Sequence, residues 1–371
     1  LFARGENIIQ LMERLAPKHY AVPDDKIGLQ VGSVAREIRK VLVTLDVTQA
    51  VVEEAKSLGA ELIIAHHAVI FRPLAHLRTD TPSGALTANL IKNDIAVYIS
   101  HTNLDSADGG INDWMADALE LNGRDVLEEV HTDQLYKLVV FVPESHHEAV
   151  KTALFNAGAG WTGNYSHCSF NIEGTGTFLP REGSDPFIGK QGSLTETKEI
   201  RLETIVPLSV RKKAIAAMLK AHPYDEVTYD LYAMDLKGRS FGLGRVGKLS
   251  EPETLDEFAD RVKKAFDVPF VRIVGDGAKK IRKVAVLGGS GAKYMRHATF
   301  AGADVLVTGD IDFHTAQDAL AAGMTIVDPG HHAEKIMKPN VAEWLTEQLA
   351  RQGYKTEVVA SAVDTEPFRL R

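Results

Sequence analysis

This 371-residue sequence holds one cysteine, Cys168, which excludes an intrachain disulfide framework and any zinc site built from several thiolates. A reducing, cytoplasmic setting is the expectation that follows. Long apolar runs are also missing, since none approaches the roughly 18 residues that a membrane-spanning helix requires. Positive charge is not in excess either: the net charge of −8 argues against a general nucleic-acid binder. The chain opens Leu1-Phe2-Ala3-Arg4-Gly5-Glu6, with neither the apolar stretch of a signal peptide nor an initiator Met, so a few natural residues are expected to be missing from its start. What remains is an ordinary globular composition, 44% hydrophobic and 25% charged. Its length suits about two or three domains.

Strands alternate with helices at each end of the chain. The spacing predicts a helix over residues 7–16, a buried strand at Val41–Leu45, a helix at Gln49–Leu58 closed by Gly59, and strands at Glu61–Ala65 and Ile95–Ser100. Toward the C-terminus the pattern recurs, with strands at Lys283–Leu287, Ala303–Val307 and Met324–Val327 and a helix at Ala292–Ala301. Val41 leads to Gly59-Ala60-Glu61 at the same spacing as Val284 leads to Gly302-Ala303-Asp304, which points to an internal duplication. Between these βαβ halves, a different texture predicts a β-α-β…β-α-β unit of ferredoxin-like type. The expected fold class is therefore α/β: two related βαβ halves, residues 1–130 and 239–371, forming one domain, with an α+β domain inserted at residues 131–238.

Four histidines at strand-following positions have no use in a hydrophobic core. His66 and His67 leave the second strand of the first half, and Asp105 lies just after the third; Gly330-His331-His332-Ala333-Glu334 follows the third strand of the other half. The carboxyl ends of parallel strands are where open sheets bind ligands, so these distant groups have a topological reason to converge. Imidazole and carboxylate donors together suit a divalent metal. Adjacent strand residues point to opposite faces, so His66 and His67 share a site only if the chain turns there, a demand that two ions would relax. His331 and Glu334 are one helical turn apart and share a face, which leaves His332 pointing elsewhere, to the site's surroundings or to solvent. Asp310 and His314 could share a helix face at the same edge and, with His101, are read as substrate or supporting groups. Asp113 reads as a helix cap. Gly288-Gly289-Ser290-Gly291 reads as a tight turn between strand and helix, with a weaker reading as an anion cradle. Tyr165-Ser166-His167 and His222-Pro223-Tyr224-Asp225-Glu226 in the insert read as structural loops.

Asp25-Lys26-Ile27-Gly28-Leu29-Gln30-Val31-Gly32, Ala65-His66-His67, Ser100-His101-Thr102-Asn103-Leu104-Asp105, Thr308-Gly309-Asp310 and Gly330-His331-His332-Ala333-Glu334-Lys335 together resemble the Nif-three-like dinuclear metal-centre family, also called GTP cyclohydrolase I type 2 homologues. The resemblance covers nearly the whole chain and likens the insert to the PII-like domain of the longer bacterial members. It implies two divalent ions held by His66, His67, Asp105, His331 and Glu334, with Glu334 bridging; the mixed imidazole and carboxylate donors suit Zn, Fe, Mn or Co. The last His and Glu stand one residue closer here than in many members. A homohexameric ring with internal metal sites, its openings capped by the inserts, is also implied. The expected activity is hydrolysis by a metal-activated water on a small-molecule substrate. The alternative is a non-enzymatic metal-binding or regulatory assembly whose PII-like domain senses a small molecule.

Overall fold

The structure, a computed structural model, describes residues 1–369. The chain divides into two compact units: Leu1–His131 together with the residues from Phe241 on, and Thr132–Ser240. The first unit opens with α1 (Gly5–Leu15), β1 (Gly28–Val31), β2 (Lys40–Thr44), α2 (Gln49–Leu58), β3 (Leu62–Ala65), α3 (Pro82–Lys92), β4 (Ala96–Ile99), α4 (Thr102–Ser106) and α5 (Ile111–Ala118). The chain leaves along β5 (Asn122–Pro143), passes α6 (His147–Asn156), β6 (Ser169–Phe178), β7 (Thr195–Pro207) and α7 (Arg211–Ala221), and returns along β8 (Tyr229–Thr254). It ends with α8 (Leu255–Ala265), β9 (Arg272–Val274), β10 (Lys280–Ser290), α9 (Met295–Phe300), β11 (Val305–Gly309), α10 (Phe313–Ala321), β12 (Thr325–Asp328), α11 (Met337–Arg351) and β13 (Glu357–Ala360). Among the described residues, no helix is long and apolar enough to cross a membrane.

Local chemistry sets these boundaries. The Thr48 hydroxyl accepts from the Val51 N–H at the start of α2, and Gly59 ends it in the left-handed conformation at φ 68°. Thr254 and Glu257 form a capping box at the start of α8.

In the first unit, β13, β2, β3 and β4 run parallel, and β1 closes the sheet antiparallel to β4. In the other half β10, β11 and β12 run parallel, with β9 antiparallel beside β12. Val41 pairs with Leu62, and Val284 with Val305, so the two halves share one offset as well as one strand order.

Period-two alternation divides each strand between two cores. Val41, Val43, Leu62, Ile64 and Tyr98 join Val284, Val286, Val305, Val307 and Val327 in a single central core. The apolar stripes of α1, α5, α8 and α11 fill it, including Ile8, Met115, Phe258 and Leu345. The intervening Leu42, Ile63 and Val97 face outward under α2 and α3, while Ala285, Leu306 and Ile326 face outward on the other side. A shared helical layer thus lies between the two sheets, bringing the carboxyl ends of their parallel strands toward common ground.

An ion pair between the buried Arg245 and the partly buried Asp113 fastens this ground. Arg245 donates through Nε to Asp113 Oδ1 at 2.7 Å and through Nη2 to Oδ2 at 2.9 Å, and its remaining donors reach the carbonyls of Gly242, Gly244 and Ala107. Asp113 is therefore a partly buried anchor for Arg245 and an acceptor for the Gly109 N–H, whereas Gly110 takes the cap position of α5 expected of Asp113. Removing Asp113 leaves the Arg245 charge buried and without its counter-ion. Asp113→Ala is expected to cost about 3–5 kcal/mol in urea unfolding, and a loss below about 1 kcal/mol would contradict this account.

The second unit follows the order β-α-β-β-α-β, with its strands arranged β8-β5-β7-β6. Leu138, Val140, Val142, Leu202 and Val206 bury one sheet face beneath Val150 and Leu154 of α6 and Ala214 and Met218 of α7.

Candidate metal centre

Every group of the cluster stands just past a parallel strand or on a turn beside one. His66 and His67 follow β3, and the backbone N–H groups of both donate to the Leu45 carbonyl. The chain bends there, which lets the two rings approach one region at a centroid separation of 5.0 Å. Asp105 lies on the short helix α4 after β4. His331 and Glu334 lie on a 3-10 turn, His331–Ile336, entered through Gly330 at φ 84°. Side chains at i and i+3 eclipse in that helix, so the expected shared face is realised more tightly than in an α-helix.

One Glu334 oxygen, Oε2, faces three imidazole nitrogens: His67 Nε2 at 3.2 Å, His331 Nε2 at 3.3 Å and His66 Nε2 at 3.7 Å. His66 Nε2 also stands 3.8 Å from Asp105 Oδ1. His66, Asp105 and Glu334 can offer one donor group, and His67, His331 and Glu334 another, with Glu334 common to them. His66, His67 and His101 also lie close enough to form a group. The structure thus brings His66, His67, Asp105, His331 and Glu334 together, with His101 beside them.

The outer ring nitrogens are all engaged. His66 Nδ1–H donates to the Ser100 carbonyl at 2.9 Å, which leaves Nε2 as the lone-pair nitrogen of the neutral ring. His67 Nδ1 pairs with Asp46 at 2.7 Å, His101 Nδ1 with Asp25 at 2.8 Å and His331 Nδ1 with Asp310 at 2.7 Å. Carboxylate or carbonyl partners on the outer nitrogen are the usual way a protein aims an imidazole at a metal.

A cation fits this set on the structure's own terms. His66 Nε2 and Asp105 Oδ1 are buried, face each other and have no hydrogen-bond partner. Two electron-rich atoms left so in the interior are costly unless a cation satisfies them. The glycines beside the cluster serve its closeness: a Cβ on Gly288 or Gly289 would fall 2.8 Å from Glu334 Oε1. Gly288-Gly289 is therefore a close-approach turn against Glu334, and β10 extends through it to Ser290. Asn112 ties the pieces together, donating to the Asp105 carbonyl and accepting from the Gly288 N–H at 2.9 Å each.

Without a metal, protons occupy the cluster. Burial raises the Asp105 carboxyl to about 6, with the neighbouring Glu334 charge adding to the rise. Burial opposes ionisation of Glu334 as well, but the facing imidazoles hold it well below the usual carboxylate range. His67 is raised to about 10: burial works against its charge and is outweighed by hydrogen bonds to Asp46 and Glu334. His331 is raised to about 9, first by its hydrogen bond to Glu334 and then, against burial, by the Glu334 charge and Asp310.

Other positions differ from expectation. Helix α10 begins only at Phe313, with Asp312 as its cap, so Asp310 and His314 do not share a helix face. Asp310 adopts φ 59° and turns to His331, while His314 is exposed. His332 is buried rather than solvent-facing. Its Nε2 lies 3.3 Å from Thr365 Oγ1, and that hydroxyl donates to Asp46 at 2.6 Å. Sequence reasoning gave no role to Asp46 or Thr365. Asp46 was findable, because it stands just past β2 at the same edge as the histidines. Thr365 carries no such signal.

The comparisons agree with this architecture. The model of the family described as Duf34/NIF3 (NGG1p interacting factor 3) matches residues 3–367. The chain belongs to the DUF34/NIF3 family. A NIF3 relative from Halalkalibacterium halodurans, named GTP cyclohydrolase 1 type 2 homolog, is 55% identical over 99% of this chain and 98% of its own length. One of the same name from Bacillus subtilis is 52% identical, over 98% of each chain. A crystal structure of a Bacillus cereus protein related to NIF3 superposes with a TM-score of 0.94 at 49% identity, covering 100% of both chains.

Proposed function

We propose that this NIF3 protein holds two divalent ions, Zn, Fe, Mn or Co, through His66, His67, Asp105, His331 and Glu334, and that the centre hydrolyses a small-molecule substrate. The observation that carries this reading is the single Glu334 oxygen shared among three imidazoles, beside the unsatisfied His66 Nε2 and Asp105 Oδ1. Bound there, the ions would supply Lewis acidity and a water nucleophile at neutral pH.

The protein's own groups do the rest. Glu334 contributes negative charge common to the two donor groups, and Asp105 adds a hard oxygen on the buried side. Asp46 and Asp310 hold His67 and His331 in orientation. His101, with Nδ1 held by Asp25, can take and return a proton through its other nitrogen. Its acidity supports this: burial lowers its affinity for a proton, and the Asp25 hydrogen bond more than restores it. The His66 and Glu334 side chains are 0% and 3% exposed, whereas His331 is 41% exposed, so substrate would approach from the His331 side.

We further propose a homohexameric ring, and a domain assignment with residues 1–130 and 239–371 as the NIF3 domain and residues 131–238 as a PII-like insert of ferredoxin-like order. The relatives' name makes nucleotide ring hydrolysis the first reaction to test, followed by phosphoesters and amides. Metal-loaded protein should turn over one of these classes, metal-stripped protein should not, and Asp105→Ala should lose the activity while keeping its circular dichroism. Equal turnover by stripped protein, or silence of loaded protein across all three classes, would replace this reading with a non-enzymatic metal-binding assembly.

A further inference from the structure

The Thr132–Ser240 unit carries a cavity of about 820 Å³ that no part of the metal-centre reading uses. Its volume lies within the range of small-molecule sites. Its walls combine aromatic rings with a carboxylate. The Phe178 and Phe187 rings stand 6.1 Å and 6.4 Å from the Tyr224 ring, and the Tyr224 hydroxyl donates to Glu199 Oε1 at 2.7 Å. Space for that carboxylate is reserved, because a Cβ on Gly176 would lie 2.2 Å from Glu199 Oε2.

The frame around it is fixed. His222 Nε2–H donates to the Phe141 carbonyl at 3.0 Å, while its Nδ1 accepts from the Tyr224 N–H at 3.1 Å. Donating at one nitrogen and accepting at the other makes His222 a neutral clamp that sets the Tyr224 backbone. Asp225 accepts from the Asp185 N–H at 2.9 Å and so ties down the loop that carries Phe187. Read as a structural loop from the sequence, His222–Glu226 is the wall of this cavity.

Charge decides the ligand class. Glu173, Glu182, Glu199, Asp225 and Glu226 line the cavity, against Arg181 and Arg201. Arg201 is already engaged, its Nε donating to Glu203 at 2.8 Å and its guanidinium 5.7 Å from the Phe141 ring centroid. Among the described residues, none of the five acids is in an ion pair. Such a lining repels phosphates and carboxylates and attracts cations. Aromatic faces grouped around one carboxylate recognise organic ammonium ions through their ring quadrupoles. We propose that this cavity binds a small organic cation, an amine or quaternary ammonium with an apolar body, between Phe178, Phe187 and Tyr224 with its charge against Glu199.

The test is calorimetric titration of the full chain with benzyltrimethylammonium, its uncharged and anionic counterparts benzyl alcohol and benzoate, and spermidine. The cation should saturate one site per chain, with the alcohol and benzoate at least about tenfold weaker. Glu199→Gln, which keeps an acceptor for Tyr224, should weaken the cation about tenfold, and Phe187→Ala should do so at a ring that is half-exposed. Spermidine binding that is lost in Glu199→Gln would also support the site. Lack of saturation by either cation up to about 10 mM, a preference for benzoate, or wild-type affinity in a folded Phe187→Ala would overturn it. The proposal stands apart from the metal reading: cation binding should persist in metal-stripped protein, and metal content should persist in Glu199→Gln.

Discussion

Glu334→Ala is expected to reduce bound divalent metal from about two ions per chain to well below one, measured by elemental analysis after loading and desalting. The geometry explains why this substitution should outweigh any other. Glu334 belongs to both the His66–Asp105 group and the His67–His331 group, so its loss opens both at once. It also removes the negative charge beside the His67 and His331 Nε2 atoms, which stand 3.3 Å apart, so a cation there would rest on two neutral donors alone. Asp105→Ala touches only the buried group and should lose about one ion. Asp46→Ala removes only an orienting partner of His67 and should weaken binding about 10- to 100-fold. Equal metal content in wild type and Glu334→Ala would contradict the shared-ligand reading.

Metal uptake should release protons and strengthen as pH rises. In the metal-free protein His67 is raised to about 10 and His331 to about 9, so at pH 7 both carry protons that a metal must displace. Calorimetry at pH 7 in buffers of different ionisation enthalpy should report on the order of two protons released per chain. Affinity should climb from pH 6 toward pH 9 and level off as these groups titrate.

The sign for stability is the reverse. Each histidine's folded value lies above its unfolded one, so its contribution to the metal-free fold is complete below about 6.5. That contribution is lost as pH rises through about 9 to 10. Asp105 behaves likewise: raised to about 6, it stabilises the metal-free fold only while protonated, and that stability falls as pH rises through about 6. Metal-free protein should therefore become less stable from pH 6 to pH 9, while loaded protein gains. Proton release near zero, or affinity falling over this range, would contradict the account.

The histidines and carboxylates were legible because they break the hydrophobic pattern where strands end. Parallel strands send such positions to one edge whatever their distance in sequence. The matched spacing after Val41 and Val284 reappears as the shared register of the two halves. Less was visible where tertiary contact overrides local pattern. Asp310 and His314 suit a helix face by spacing, yet the Asp312 cap starts the helix too late for both to join it. The sequence leaves His332 open between the site's surroundings and solvent, and the C-terminal segment bearing Thr365 places it in the former. The insert's cavity was equally hidden, since its aromatic rings and Glu199 come from separate strands and loops with no common motif.

The most direct test is anomalous scattering from crystals grown without added metal, recorded at the Mn, Fe, Co and Zn edges. The account predicts two peaks per chain, one between His66, Asp105 and Glu334 and one between His67, His331 and Glu334, with a Glu334 oxygen reaching both. A single peak that leaves His66 and Asp105 uncoordinated, or ordered water in place of any metal after loading, would contradict it.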